Sequence, residues 1–238
     1  HVWLTKTMKK AYIPQWGQYV STTPQGDVKV KVDFLAQGSK MKLSIRNTIY
    51  DAKGKVVAKS QGNEVQQLKV KNPQLWDIAK GYLYTVKSEL VVNGKVVDTA
   101  TTTTGFRDVK FDAQKGFFLN GESMKINGVC EHHDFGCLGA ALNEDALHRK
   151  LTILRDMGVN AIRSSHNPPA PELLNMCDSM GIMVMDESFD MWRRKKSNGD
   201  YARFFDEWHQ RDLSDLVKRD RNHPCIIMWS IGNEVLEQ

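Results

Sequence analysis

Along the first hundred residues, apolar and polar side chains alternate. Val28, Val30, Val32 and Phe34 are separated by polar partners, which predicts a half-buried strand. Met41-Lys-Leu-Ser-Ile-Arg46 follows the same rule. Asp51-Ala-Lys-Gly54 and Val92-Asn93-Gly94-Lys95 predict hairpin turns, the second an Asn-Gly pair suited to a type I′ loop. Between them, Asn72-Pro73-Gln-Leu-Trp76 predicts a loop with a buried aromatic. Residues 82–92 and 96–106 predict two long strands. Short strands at this spacing form an antiparallel β-sandwich of ~100 residues, immunoglobulin-like in size. No catalytic chemistry is visible in it.

The pattern changes near Gly105-Phe106-Arg107. Residues 117–126 predict a small hairpin leading into a strand, and alternating helices and strands follow. Asn143 can cap a helix whose Leu147, Leu151 and Leu154 fall on one face, closed by Gly158. Val159-Asn-Ala-Ile-Arg163 predicts the next strand. Pro171 opens a helix carrying Leu173, Cys177 and Met180, closed by Gly181. Ile182-Met-Val-Met-Asp186 predicts a third strand, and Phe204, Trp208, Leu213, Leu216 and Val217 mark a long helix. Ile226, Ile227, Met228 and Trp229 form an almost continuous apolar run, expected to be buried on both faces as in a parallel sheet. The whole reads as βαβ units. The expected domains are residues 1–107, a β-sandwich, and residues 108–238, a parallel βα array.

Composition changes little in this picture. No apolar run approaches the ~18 residues of a membrane span. The chain opens on His1-Val2-Trp3-Leu4 without an initiator Met or a signal-like segment, so it is expected to be a piece of a longer protein. Its compartment, periplasmic or cytoplasmic in a bacterium, is open. Cys130, Cys137, Cys177 and Cys225 form no C-x-x-C pair and are expected to be buried free thiols. Residues 1–107 hold 17 Lys/Arg against 7 Asp/Glu, and residues 108–238 hold 16 against 21. The lysines of the first half are scattered singly, which solvated strand faces explain better than a phosphate-binding patch for nucleic acid.

Polar residues gather where the four βα strands end. These are Glu131-His132-His133-Asp134, Arg163-Ser-Ser-His166-Asn167, Asp186-Glu187-Ser-Phe-Asp190 and Asn233-Glu234. In a (β/α)8 barrel that end carries the catalytic groups. His132, His133 and His166 with a carboxylate could hold a metal, but no H-x-H or H-E-x-x-H spacing supports it. A Glu at a strand end beside an amide suits general acid catalysis next to a sugar hydroxyl, so carboxylate-based glycoside hydrolysis is favoured.

These motifs, from Gly105-Phe-Arg through Leu119-Asn-Gly, Gly128-Val-Cys-Glu-His-His-Asp134, Asn160-Ala-Ile-Arg-Ser-Ser-His-Asn-Pro168, Asp186-Glu187, Arg221-Asn-His-Pro224 and Trp229-Ser-Ile-Gly-Asn-Glu234, resemble glycoside hydrolase family 2. Among its members the chain looks most like the β-galactosidases. The resemblance is nearly continuous over residues 105–238 and looser before them. It implies a multidomain fold, an immunoglobulin-like β-sandwich followed by a partial (β/α)8 TIM barrel.

The resemblance also implies a retaining mechanism on terminal β-D-galactosides, with β-glucuronides as the alternative within the family. A non-catalytic carbohydrate-binding or assembly module is the alternative outside it. Glu234 matches the family's general acid/base and Asn233 the amide that binds the sugar 2-hydroxyl. Arg163 matches the arginine that holds the nucleophile carboxylate, and His166 and His132 match histidines of the sugar subsite. His133, Asp134, Asp186 and Glu187 are expected to support the site.

Two departures follow. The family's nucleophile is a second Glu on the seventh strand, ~100 residues beyond the fourth at ~30 residues per unit, and the chain stops at Gln238. Some bacterial β-galactosidases bind magnesium through a Glu and a His shortly after the Asp-Glu motif, where this chain has Asp190-Met191-Trp192-Arg193. No metal and no cofactor are therefore expected. Trp192 and Arg193 are expected to shape the pocket or a loop. The expected partner is a β-galactoside, with no nucleic acid and no membrane span, and with homo-oligomers as a further expectation.

Overall fold

A computed structural model describes residues 4–8, 10–37 and 41–235. The opening His1-Val2-Trp3 and the closing Leu236-Glu237-Gln238 lie outside the described residues. The chain divides into two compact units, residues 1–75 with 83–107 and residues 76–82 with 108–238.

The first unit is all β. Its strands are β1 (Ala11–Tyr12), β2 (Gln18–Thr22), β3 (Asp27–Val32), β4 (Leu35–Ala36), β5 (Leu43–Tyr50), β6 (Val56–Gly62), β7 (Val65–Lys69), β8 (Tyr84–Val92) and β9 (Lys95–Thr104). They form antiparallel sheets β2-β3-β7 and β6-β5-β8-β9, with the short pair β1-β4. Alternation explains the core: Val28, Val30 and Val32 face inward from one sheet, and Ile45, Ile49, Val86 and Leu90 from the other. Gln18 ties the sheets together, its amide donating to Val86 O at 3.0 Å and Ser88 Oγ at 2.7 Å. Ser88 in turn donates to Asn47 Oδ1 at 2.6 Å, while the buried Asn47 Nδ2 has no hydrogen-bond partner. Asn93 and Gly94 both take positive φ, 51° and 82°, the type I′ turn expected from the pair.

In the second unit, β10 (Val109–Asp112), β11 (Gly116–Leu119) and β12 (Glu122–Met124) form a small antiparallel sheet. Four parallel strands follow in sequence order: β13 (Gly128–Glu131), β14 (Ala161–Ser164), β15 (Met183–Glu187) and β16 (Ile226–Ser230). They are linked by α1 (Glu144–Asp156), α2 (Pro171–Met180) and α3 (Phe205–Asp220). The Asn143 side chain accepts from Ala146 N and starts α1, while Pro171 and left-handed Gly181 bracket α2. Leu147 and Leu151 of α1 and Leu174 and Cys177 of α2 are buried, each leucine contributing roughly 1.5–3 kcal/mol. This is part of a (β/α)8 barrel. Among the described residues no helix is long and apolar enough to cross a membrane.

Residues 76–82 belong to this second unit. The Trp76 indole donates to Asp178 O at 2.7 Å, and Ala79 N donates to Gly181 O at 3.1 Å. The aromatic expected in the loop is therefore buried against α2. A Cβ on Gly181 would lie 2.4 Å from Ala79 N and 2.5 Å from Asp77 O, so the loop can lie there only over a glycine.

Two expectations are corrected. The run 226–229 is not buried on both faces: Ile226 is buried, Ile227 and Met228 are half-buried, and Trp229 is 38% exposed. Among the described residues β16 has a single strand neighbour, β15, and Ile227 and Met228 line an open apolar hollow with Val129, Ile162 and Met185. Of the four free cysteines, Cys177 and Cys225 are buried, but Cys130 and Cys137 are exposed. Cys130 lies in β13, which has a single neighbour, and Cys137 sits in a loop turn.

Candidate active site

Strand alternation sorts the polar residues at the strand ends. Arg163 pairs in register with Met185, and Glu187 lies two residues further along the same face. Glu131 and Asp186 therefore point the other way, toward the helices. Glu131 forms an ion pair with Lys150 of α1. Asp186 is fully buried against the end of α3, where Asp220 accepts both arms of Arg219 at 2.6 and 2.7 Å. Two carboxylates hold no donor between them, so the Asp186 oxygens have no partner while both are ionised. Burial first, and the Asp220 charge second, push the Asp186 carboxyl up to about 8.

Glu187 is the hub of the inward face. Its Oε2 accepts from Arg163 Nε at 2.8 Å, from the Arg163 terminal nitrogen at 2.7 Å and from Ser230 Oγ at 2.7 Å. Its Oε1 meets His166 Nδ1 at 2.6 Å, and its backbone N–H donates to Ser164 Oγ at 2.9 Å. The carboxyl is fully buried, so these partners are what make its ionic form tolerable. Burial works against the Arg163 charge, but the Glu187 hydrogen bond and charge outweigh it, and its pKa lies above the ordinary arginine value. With a carboxylate on Nδ1, His166 keeps Nε2 as its other polar atom. The His132 ring meets the His166 ring edge-on, with centroids 5.3 Å apart.

From this hub the chain of contacts runs to Asn233. Arg163 donates to Asn233 Oδ1 at 2.9 Å, while Asn233 Nδ2 donates to Asp190 Oδ1 at 3.0 Å. An arginine can only donate and a carboxylate can only accept, so the amide orientation is fixed. Lys196 donates to the same Asp190 oxygen at 2.9 Å and to Asn233 O at 2.8 Å. Burial opposes the Asp190 charge, but hydrogen bonds from Lys196 and Asn233 hold its carboxyl below the usual range. Glu234 follows with φ 49° and a side chain 81% exposed, its Oε2 3.8 Å from Lys196 Nζ.

Arg163, His166, Glu187 and Asn233 thus form one cluster, with His132 at its edge and Glu234 at its rim. His133 lines a hollow with Glu131, His132, Phe135 and Lys150. The Asp134 side chain accepts from Gly136 N at 2.9 Å and shapes its own loop. Asp186 faces α3. Ser230, Asp190 and Lys196 are site residues that the sequence left unassigned. Ser230 stands opposite Glu187 in register, which only the assembled sheet shows. Nothing in the spacing pointed to Lys196.

Among the described residues the one group with three convergent ligand atoms is Asp178, His223 and Cys225, outside the cluster. There Asp178 accepts from Cys225 N at 2.9 Å and meets His223 Nδ1 at 2.6 Å. Met191 is a buried apolar side chain, the Trp192 indole donates to Ile231 O at 2.8 Å, and the cation beside Glu234 is Lys196.

The hydrogen-bonded Arg-Glu-His-Asn cluster and the rim carboxyl lie at the C-terminal ends of parallel strands, the end at which (β/α)8 barrels carry their active sites. Residues 109–238 match the family described as "Glycosyl hydrolases family 2, TIM barrel domain", and residues 11–107 match "Glycosyl hydrolases family 2". The chain belongs to glycosyl hydrolases family 2. It is 52% identical to the Beta-galactosidase BoGH2A of Bacteroides ovatus, over 100% of this chain and 30% of that protein. It is 43% identical to a putative beta-glucuronidase of Formosa agariphila, over 86% of this chain and 20% of that protein. The crystal structure of a beta-glycosidase from Bacteroides vulgatus superposes with TM-score 0.90 at 39% identity, covering 96% of this chain and 30% of that one. The chain therefore spans less than a third of the length of these relatives.

Proposed function

We propose that the chain is part of a retaining β-galactosidase in which Glu234 is the general acid/base. Residues 1–107 are read as the immunoglobulin-like domain and 108–238 as the first half of the catalytic barrel. Glu234 protonates the glycosidic oxygen as the sugar leaves, then takes a proton from the water that releases it. The Asn233 amide has one N–H on Asp190 and a second for the sugar 2-hydroxyl. His166 and His132 line the sugar subsite. Arg163, held by Glu187, stands where the nucleophile carboxylate of the complete barrel would meet it.

The observation that carries this reading is the fixed amide of Asn233, clamped by Arg163 and Asp190 immediately before the exposed Glu234. The 52% identity to a β-galactosidase supports galactose as the sugar. The 43% identity to a putative β-glucuronidase favours glucuronide as the second reading. The partner is a small glycoside, and nucleic acid has no part in the reading.

The test uses the complete enzyme that carries this chain. Nitrophenyl β-galactoside should be the better substrate, and turnover of the β-glucuronide alone would overturn the sugar. Glu234→Gln should slow glycosides with poor leaving groups by ~10²–10⁴-fold and activated aryl glycosides far less. Equal losses on both would remove Glu234 from the acid role.

A further inference from the structure

The loop between β15 and α3 carries Arg193-Arg194-Lys195-Lys196, four consecutive cations in a unit with more acids than bases. Arg193 is held by Asp206 at 2.7 Å. Lys196 turns inward to the site. Its backbone N–H donates to Asp200 Oδ2 at 2.8 Å, as does that of Ser197 at 2.9 Å. Asp200 also caps the short helical turn at Tyr201–Arg203, so the base of the Lys196 side chain is anchored. Its tip meets three groups: Asp190 Oδ1, Asn233 O and the Glu234 carboxylate.

The segment Lys196 holds needs holding. Glu234 takes the left-handed backbone at φ 49°, which a non-glycine residue keeps only where surroundings impose it. Asn233 N donates to Phe189 O at 3.0 Å and its amide is clamped on both sides. The one hydrogen bond that reaches the Asn233 carbonyl comes from Lys196, among the described residues. The same ammonium makes the one ion pair that reaches Glu234 among the described residues.

We propose that Lys196 is a positioning residue for the acid/base: seated on Asp190, it fixes the Asn233–Glu234 peptide and with it the direction of the Glu234 carboxyl. This rests on the assignment of Glu234 above. The anchor is the Asn233 carbonyl. The 3.8 Å pair with the exposed Glu234 carboxylate is too solvated to order the side chain by itself.

The experiment compares a galactoside with a poor leaving group and one with an activated aryl leaving group, in the complete enzyme. Lys196→Met keeps the apolar stem and removes the ammonium. It should lower kcat/KM on the poor leaving group at least about tenfold more than on the activated one, a fraction of the full general-acid effect. Lys196→Arg, which restores charge and donors, should recover part of that ratio. Lys196→Gln, which is uncharged but still a donor, is made alongside, so that a poorly folded Met variant leaves the comparison intact. Equal losses on both substrates in the folded variants would overturn the proposal. Glu234→Gln in the same assay separates the two readings. A leaving-group effect there, without one at Lys196, sinks Lys196 alone. No effect at Glu234 sinks the acid/base assignment.

Discussion

At the scale of single residues, Asp186 and Glu187 show how one step along a strand changes a carboxyl's chemistry. Glu187 faces four donors and Asp186 faces another acid. Asp186 keeps its proton in the folded state up to about pH 8, and in the unfolded chain only below about 4. Between those values the folded state binds more protons than the unfolded one. The stabilising contribution of Asp186 is thus complete below about pH 4 and is lost as pH rises toward 8. Asp186→Asn, which carries no titrating group and can donate to Asp220, should lack this loss. Its melting temperature relative to the unsubstituted protein should rise between pH 5 and pH 8. A constant difference across that range would show that Asp186 is ionised in both states.

At the scale of elements, the helix boundaries follow from caps legible in the chain: Asn143 before α1, Pro171 at the start of α2, Gly181 at its end. The third helix was legible as a helix but less so in its buried face. Phe205 and Leu216 are buried, whereas Phe204 precedes the helix as its cap and is 43% exposed. Gly181 does two jobs, one local and one tertiary. Its φ of 69° closes α2, and its missing Cβ admits the backbone of residues 77–79. Gly158, after α1, has φ 89° and nothing within 4 Å of a built Cβ. Gly158→Ala should cost the roughly 1–2 kcal/mol of a left-handed non-glycine residue. Gly181→Ala should cost clearly more, because backbone cannot swing aside as a side chain can. Equal drops in melting temperature would mean that the 76–82 segment yields freely.

At the scale of the whole chain, the proposed acid Glu234 is accompanied in the cluster by Glu187 and Asp190, and among the described residues both are engaged. A retaining glycosidase needs two carboxyls ~5–5.5 Å apart. Glu187 is engaged by Arg163, His166 and Ser230, and Asp190 by Lys196 and Asn233. Val129, Ile162, Met185, Ile227 and Met228 line an open apolar hollow, and β13 and β16 each have one strand neighbour among the described residues. Such edges and faces favour association. The 238-residue chain alone should therefore turn over no nitrophenyl β-galactoside and should have a solution mass above that of a monomer. Turnover abolished by Glu234→Gln in this chain would place a working nucleophile inside it.

The sequence by itself determined the change from alternating to helical periodicity near residue 105, the four strands with the three helices between them, the caps and the polar residues at each strand end. All of these are local. Periodicity reports which face is buried, and a cap is a bond between residues three apart. The tertiary structure decided which of those polar residues meet. Asp186 and Glu187 are indistinguishable as neighbours in a string, but the pleat sends one to α3 and the other to Arg163. Ser230, Asp190 and Lys196 join the site through loops and register that no spacing encodes. Trp76, read from the sequence as a loop aromatic, is buried against α2, about a hundred residues further along the chain. Burial on both faces of β16 failed as an expectation for the same reason: an apolar run records what a strand is suited to meet, and only the assembled sheet shows what it does meet.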